Sequence, residues 1–94
     1  MNDAVMIIRM EAVFSGAVQG VGFRAAAKQL AEDRGVCGYV HNSADGRVDA
    51  VFEGPRHVVR AVIGDLCGRF ACDAAVSAES KATHDFSDFE IRRF

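Results

Sequence analysis

From Ile8 to Phe14 apolar and polar positions alternate, with Ile8, Met10, Ala12 and Phe14 on one face and Arg9, Glu11 and Val13 on the other. A two-residue period is that of a half-buried strand. Glycines at 16, 20 and 22 interrupt it, after which Phe23, Ala26, Ala27, Leu30 and Ala31 recur at helical spacing until Gly35. This predicts a first helix over 22–34, stopped by a glycine suited to a left-handed C-terminal position. Two runs rich in valine and aromatics follow, 36–42 and 47–53, joined through Ser43-Ala44-Asp45-Gly46. The Asp-Gly pair suits a tight reversal, so the two runs read as a hairpin.

Gly54-Pro55 ends the hairpin, and Val59, Val62, Ile63 and Leu66 then trace the stripe of a second helix with Pro55 near its first position. Gly64 lies inside that helix and costs about 1 kcal/mol relative to alanine, which predicts a weaker or closely packed central turn. A fourth strand is expected over 74–79, a polar loop over 81–88, and a C-terminal edge strand over 89–94. The order strand, helix, strand, strand, helix, strand is that of the split βαβ arrangement. The expected fold is therefore α+β and ferredoxin-like: a four-stranded antiparallel sheet with two helices on one face. In that topology strands one and two run parallel with strand three between them. Asn42, ending strand two, should then face the glycine loop across one sheet edge.

Ninety-four residues, half of them apolar, with one proline, suit a single domain spanning 1–94. Eleven basic and thirteen acidic residues leave a net charge of −2, which disfavours a nucleic-acid partner because no large positive field is available to displace counterions. No aromatic-rich strand of the RNA-binding type is present either. Cys37, Cys67 and Cys72 lack a Cys-x-x-Cys spacing and read as small buried hydrophobes in a reducing compartment. The acidic start and the short apolar run 4–8 suit neither a signal peptide nor a membrane span. A cytoplasmic, monomeric protein without a membrane partner is expected.

The chemistry gathers in Gly16-Ala17-Val18-Gln19-Gly20-Val21-Gly22-Phe23-Arg24, which leaves a strand and opens a helix. Unpaired N–H groups and the helix dipole favour an anion there, and glycines let successive N–H groups converge. Arg24 is unfavourable beside the positive end of a dipole unless an anion joins it, and its planar fork suits an oxyanion. The loop lacks the Gly-Lys-Ser/Thr of a Walker A motif. It matches Gly-x-Gly-x-x-Ala, but the acidic residue a dinucleotide fold needs about twenty residues on is missing, Asn42 ending that strand. His41 lies on the strand face opposite Asn42 and reads as structural or solvent-facing, while Asp45 reads as a turn residue and Asp49 as a solvated strand residue. His57 and His84 are too scattered to build a metal site with the cysteines.

Val18-Gln19-Gly20-Val21-Gly22-Phe23-Arg24, then Gly38-Tyr39-Val40-His41-Asn42, Asp45-Gly46-Arg47-Val48 and Glu53-Gly54-Pro55, together resemble the acylphosphatase family from about Met10 to Leu66. The resemblance implies a small enzyme that hydrolyses the carboxyl–phosphate anhydride of acyl phosphates without a metal or other cofactor. By position, Arg24 matches the family's phosphate-binding arginine and Asn42 the asparagine that orients water. The family's phosphate loop falls on Ala17, Val18, Gln19, Gly20, Val21 and Gly22. Tyr39 stands where the family often has tryptophan, and His41 where another basic or polar residue is usual. Past the second helix, Gly68-Arg69-Phe70-Ala71-Cys72 replaces a common Gly-Pro turn. The alternative is a non-catalytic phosphate or carbamoyl-phosphate binding module on the same fold.

Overall fold

A computed structural model describes residues 6–93. The elements are β1 (Ile7–Ser15), α1 (Phe23–Asp33), β2 (Cys37–Asn42), β3 (Val48–Pro55), α2 (Arg56–Phe70), β4 (Asp73–Lys81) and β5 (Phe89–Ile91). They form a five-stranded sheet in the order β4-β1-β3-β2-β5 with two helices packed on it. This is the expected ferredoxin-like fold, with a correction to the sheet. The β1–β3, β1–β4 and β2–β3 pairs are antiparallel, whereas β5 adds to β2 in parallel, Gly38 opposite Phe89 and Val40 opposite Ile91. The sheet is thus mixed rather than four-stranded and antiparallel. β5 runs opposite to β4 and so in the direction of β1 and β2, and because the chain crosses to the far edge before forming it, it meets β2 in parallel. Phe94, the end of the expected edge strand, and residues 1–5 at the start of the expected domain lie outside the described residues.

The core follows the period-two pattern of β1. Ile8, Met10, Ala12 and Phe14 are buried on the helix side, while Arg9, Glu11 and Val13 are only partly covered. Phe14 packs on Phe23 at 4.9 Å between ring centroids, and Phe23 packs on Phe70 at 5.0 Å. Burying a phenylalanine side chain contributes about 1.5–3 kcal/mol. Phe23 is the first residue of α1, so this cluster pins the helix start to the sheet.

Several boundaries shift for local reasons. Pro55 stands at the N-cap of α2 with extended φ −60° and ψ 138°, closing β3 rather than occupying the first helical position. The second helix runs through Gly64 and Gly68 to Phe70, and Ala71 takes the left-handed capping conformation at φ 49°. A Cβ at Gly64 would meet nothing within 4 Å, so its turn is not closely packed. Among the cysteines, only Cys72 is buried; Cys37 and Cys67 are half-covered. Burial, followed by the neighbouring Cys67, pushes the Cys72 thiol up to about 11. It stays protonated and behaves as a small hydrophobe.

The segment after β4 is more than a solvated loop. Glu53 is 4% exposed on β3 and accepts hydrogen bonds from Thr83 N and Thr83 Oγ1 at 2.9 Å each and from His84 N at 3.0 Å. Arg9 lies 3.7 Å away. Burial pushes this carboxyl up, but the three hydrogen bonds and the Arg9 charge outweigh it and leave its pKa below the ordinary glutamate value. Past this anchor, Phe86 reaches Tyr39 at 5.9 Å, and Arg92 lies 4.1 Å above the Tyr39 ring. The crossing segment therefore covers part of the sheet face opposite the helices, tying β4 to β5.

Candidate active site

The loop between β1 and α1 is shaped by its glycines. Gly20 and Gly22 have φ of 76° and 82°, a left-handed backbone that residues with a Cβ rarely adopt. Gly22 is also the N-cap of α1, which has no side-chain cap and no acidic residue in its first turn. The first N–H groups of the helix are thus left for another acceptor. Within the loop, the N–H groups of Ala17, Gln19, Gly20, Val21 and Gly22 donate to no acceptor among the described residues. Val18 departs from the expectation: its N–H donates to the Gly16 carbonyl at 3.0 Å, and its side chain is buried at 1% exposure. Its N–H is spent on holding the turn, so Val18 shapes the cradle without offering a donor.

Arg24 follows Phe23 on the first turn. The two line one cavity of about 150 Å³ with Val18, Gly20, Gly22, Ala25, Ile91 and Arg93. Among the described residues, no carboxylate lines it. Six basic side chains, those of Arg9, Lys28, Arg34, Arg47, Arg56 and Arg92, pair with carboxylates. Arg24 and Arg93 have no such partner among the described residues. The cavity therefore sets the Arg24 guanidinium beside the unspent N–H donors of the loop, which favours an anion with several oxygens, and has Arg93 in its wall.

Asn42 ends β2 on the side of the sheet that α1 covers, two residues beyond the buried Val40. It is outside the lining of the cavity, as are Ala17, Gln19 and Val21. The link between the two parts is Gln19, whose Nε2 donates to the carbonyls of Ser43 at 2.9 Å and Arg47 at 2.8 Å. These bonds tie the loop to the hairpin that begins directly after Asn42, as the topology required. The hairpin tip is itself braced by Asp45, which accepts from Ser43 Oγ and from Arg47. The Arg47 guanidinium, with the Ser43 hydroxyl, holds the Asp45 carboxyl well below the usual carboxylate range. Asn42 Oδ1 is buried without a hydrogen-bond partner. An orphaned buried acceptor costs about 1–3 kcal/mol, and a water is the smallest donor that relieves it.

His41 points to the opposite face, stacked on Tyr39 with ring centroids 6.1 Å apart, its Nε2 3.6 Å from Asp49. Among the described residues, no group of three or more His, Cys, Asp or Glu side chains is placed to hold a metal ion, and no helix is long and apolar enough to cross a membrane. Two features escaped the sequence reading. The Gln19 amide acts through its side chain, which nothing in local sequence reveals. Arg93 was legible in principle, since the alternation from Phe89 through Ile91 puts it on their face.

Known proteins resemble this chain over most of its length. The acylphosphatase family profile matches residues 10–91. The acylphosphatase of Natronomonas pharaonis is 43% identical over 89 residues, covering 92% of this chain and 96% of the relative. That of Haloarcula marismortui is 51% identical over 87 residues, covering 89% and 94%. The crystal structure of acylphosphatase from Bacillus subtilis superposes with a TM-score of 0.82 at 28% identity, covering 92% of this chain and 99% of that one. A match through β1, the glycine loop, both helices and the β5 edge leaves one conclusion about descent: the chain belongs to the acylphosphatase family, the hydrolases of acyl phosphates.

Proposed function

We propose that the cradle and Arg24 hold the phosphoryl group of an acyl phosphate while Asn42 orients the attacking water. The observation that carries this reading is the cavity in which Arg24, without a carboxylate partner among the described residues, meets the uncapped start of α1 and the glycine loop. The N–H groups of Gly20 and Gly22, which line the cavity, and the Arg24 fork bind the phosphoryl oxygens, with the free N–H groups of Ala17, Gln19 and Val21 adding to the positive field of the loop. Asn42 Oδ1 accepts a hydrogen bond from water. The water oxygen bonds to phosphorus as the bond from phosphorus to the acyl oxygen breaks. Acyl phosphate dianion and water thus become a carboxylate and dihydrogen phosphate, both protons of the water ending on the phosphate. A carboxylate is stable once expelled, so positioning and charge stabilisation supply the catalysis and no strong protein acid or base is needed.

The test is hydrolysis of benzoyl phosphate by the purified protein in the presence of EDTA, followed through release of benzoate and inorganic phosphate. Stoichiometric release of both, with competitive inhibition by phosphate, is expected. Phosphate binding without turnover would make the chain a binding module.

A further inference from the structure

Arg93 forms part of the wall of the phosphate cavity but belongs to a different element from Arg24. The β2–β5 register, carried two residues beyond the Val40–Ile91 pair, brings Arg93 level with Asn42, and the Arg92 N–H donating to the Val40 carbonyl at 2.9 Å extends the pairing in that direction. Alternation puts Phe89, Ile91 and Arg93 on the face covered by α1. Lys28 fastens that helix to the strand through a 2.7 Å hydrogen bond to the Phe89 carbonyl. Along the sheet edge, the hairpin after β2 lies to one side of β2 and β5 to the other. Asn42 stands outside the cavity and adjoins the hairpin tied to Gln19, while Arg93 stands inside the cavity on the β5 side.

In-line displacement puts attacking and leaving oxygens on opposite sides of phosphorus. With water held from the Asn42 side, the acyl oxygen departs toward β5. From this geometry we infer that Arg93 receives the leaving carboxylate, donating to the acyl oxygen as negative charge collects on it. The inference rests on the hydrolysis reading above. The bond from phosphorus to that oxygen breaks, its electron pair stays on the carboxylate, and Arg93 keeps its protons throughout. Arg24 binds charge already present in the ground state, whereas Arg93 meets charge that appears only as the bond breaks. Its effect should therefore be found in kcat and grow as the leaving group becomes more basic.

The experiment measures kcat for a series of ring-substituted benzoyl phosphates, together with inhibition by inorganic phosphate, for the unaltered protein, Arg93→Gln and Arg93→Lys. Arg93 is exposed, so neither substitution disturbs the core. In Arg93→Gln, kcat should fall about tenfold, less than for removal of a fully buried oxyanion donor. The dependence of log kcat on leaving-group pKa should steepen, while phosphate inhibition changes less than about twofold. Lysine should restore much of the loss by charge alone. An unchanged slope, or phosphate inhibition weakened as much as kcat, would overturn the assignment and make Arg93 a bystander or a phosphate ligand. Failure of the unaltered protein to hydrolyse any member would instead overturn the hydrolysis reading itself.

Discussion

Asn42 and Gln19 both stand at the junction of loop and hairpin, yet removing them should leave different signatures. Asn42 carries no charge with which to hold phosphate, and its orphaned Oδ1 suits a water. Asn42→Ala should lower kcat about 10²-fold or more while changing phosphate inhibition only about twofold, because misplacing a nucleophile is felt mainly in the transition state. Asn42→Asp should do no better, since a carboxylate beside the phosphoryl group adds repulsion. Equal losses in kcat and phosphate affinity would make Asn42 a phosphate ligand. Gln19 donates to two carbonyls, and deleting it removes two exposed or half-exposed hydrogen bonds, each contributing about 0.5–1.5 kcal/mol. Gln19→Glu should be worse than Gln19→Ala in thermal stability, because it replaces both donors with oxygens facing carbonyl oxygens. Thermal denaturation of the two variants side by side decides this.

Between secondary-structure elements, the least local contacts are the most informative. Glu53 holds the crossing between β4 and β5 through three hydrogen bonds, and its folded pKa is depressed. A depressed carboxylate contributes stability that is present above its unfolded pKa, about 4.3, and is lost as pH falls through the folded value. Glu53→Gln should therefore cost about 1–3 kcal/mol at pH 7 by turning an amide donor toward groups that themselves donate. The gap from the unaltered protein should narrow as pH drops below about 4, and urea denaturation from pH 7 to 3 reads both effects. A gap independent of pH would contradict the charged anchor. Gly64 offers the opposite case. It is exposed within a continuous helix with open space at its Cβ, so Gly64→Ala should raise stability by about 0.5–1 kcal/mol, measured as a higher urea midpoint at unchanged slope. Alternation along β1 and the stripe of α2 made those elements legible in sequence, because their buried faces repeat with the period of the backbone. The crossing over 82–88 was not legible: its anchor pairs Thr83 and His84 with a glutamate thirty residues earlier, and its own sequence is polar. The fifth strand was foreseen, but its parallel pairing depends on that same crossing.

Across the whole molecule, topology gathers these local features at one sheet edge. Placing β1 and β2 parallel with β3 between them brings the glycine loop and Asn42 to one edge, and β5 adds Arg93 beside them. The residues of the loop, Arg24 and Asn42 stand out in the sequence as candidates through spacing and resemblance because they lie in short segments. What sequence concealed was the division of the loop's N–H groups: the Val18 N–H is committed to Gly16, which only backbone geometry reveals. The central claim is that the Arg24 guanidinium on an uncapped helix start binds the phosphoryl group in both the ground and transition states. The most direct measurement compares kcat for benzoyl phosphate and the inhibition constant of inorganic phosphate in the unaltered protein, Arg24→Ala and Arg24→Lys, each verified as folded by circular dichroism. The account predicts that Arg24→Ala loses about 10²–10³-fold in kcat and loses phosphate inhibition with it, and that lysine recovers little of either because a point charge cannot replace the fork. A folded Arg24→Ala protein with full turnover and unchanged phosphate inhibition would contradict it.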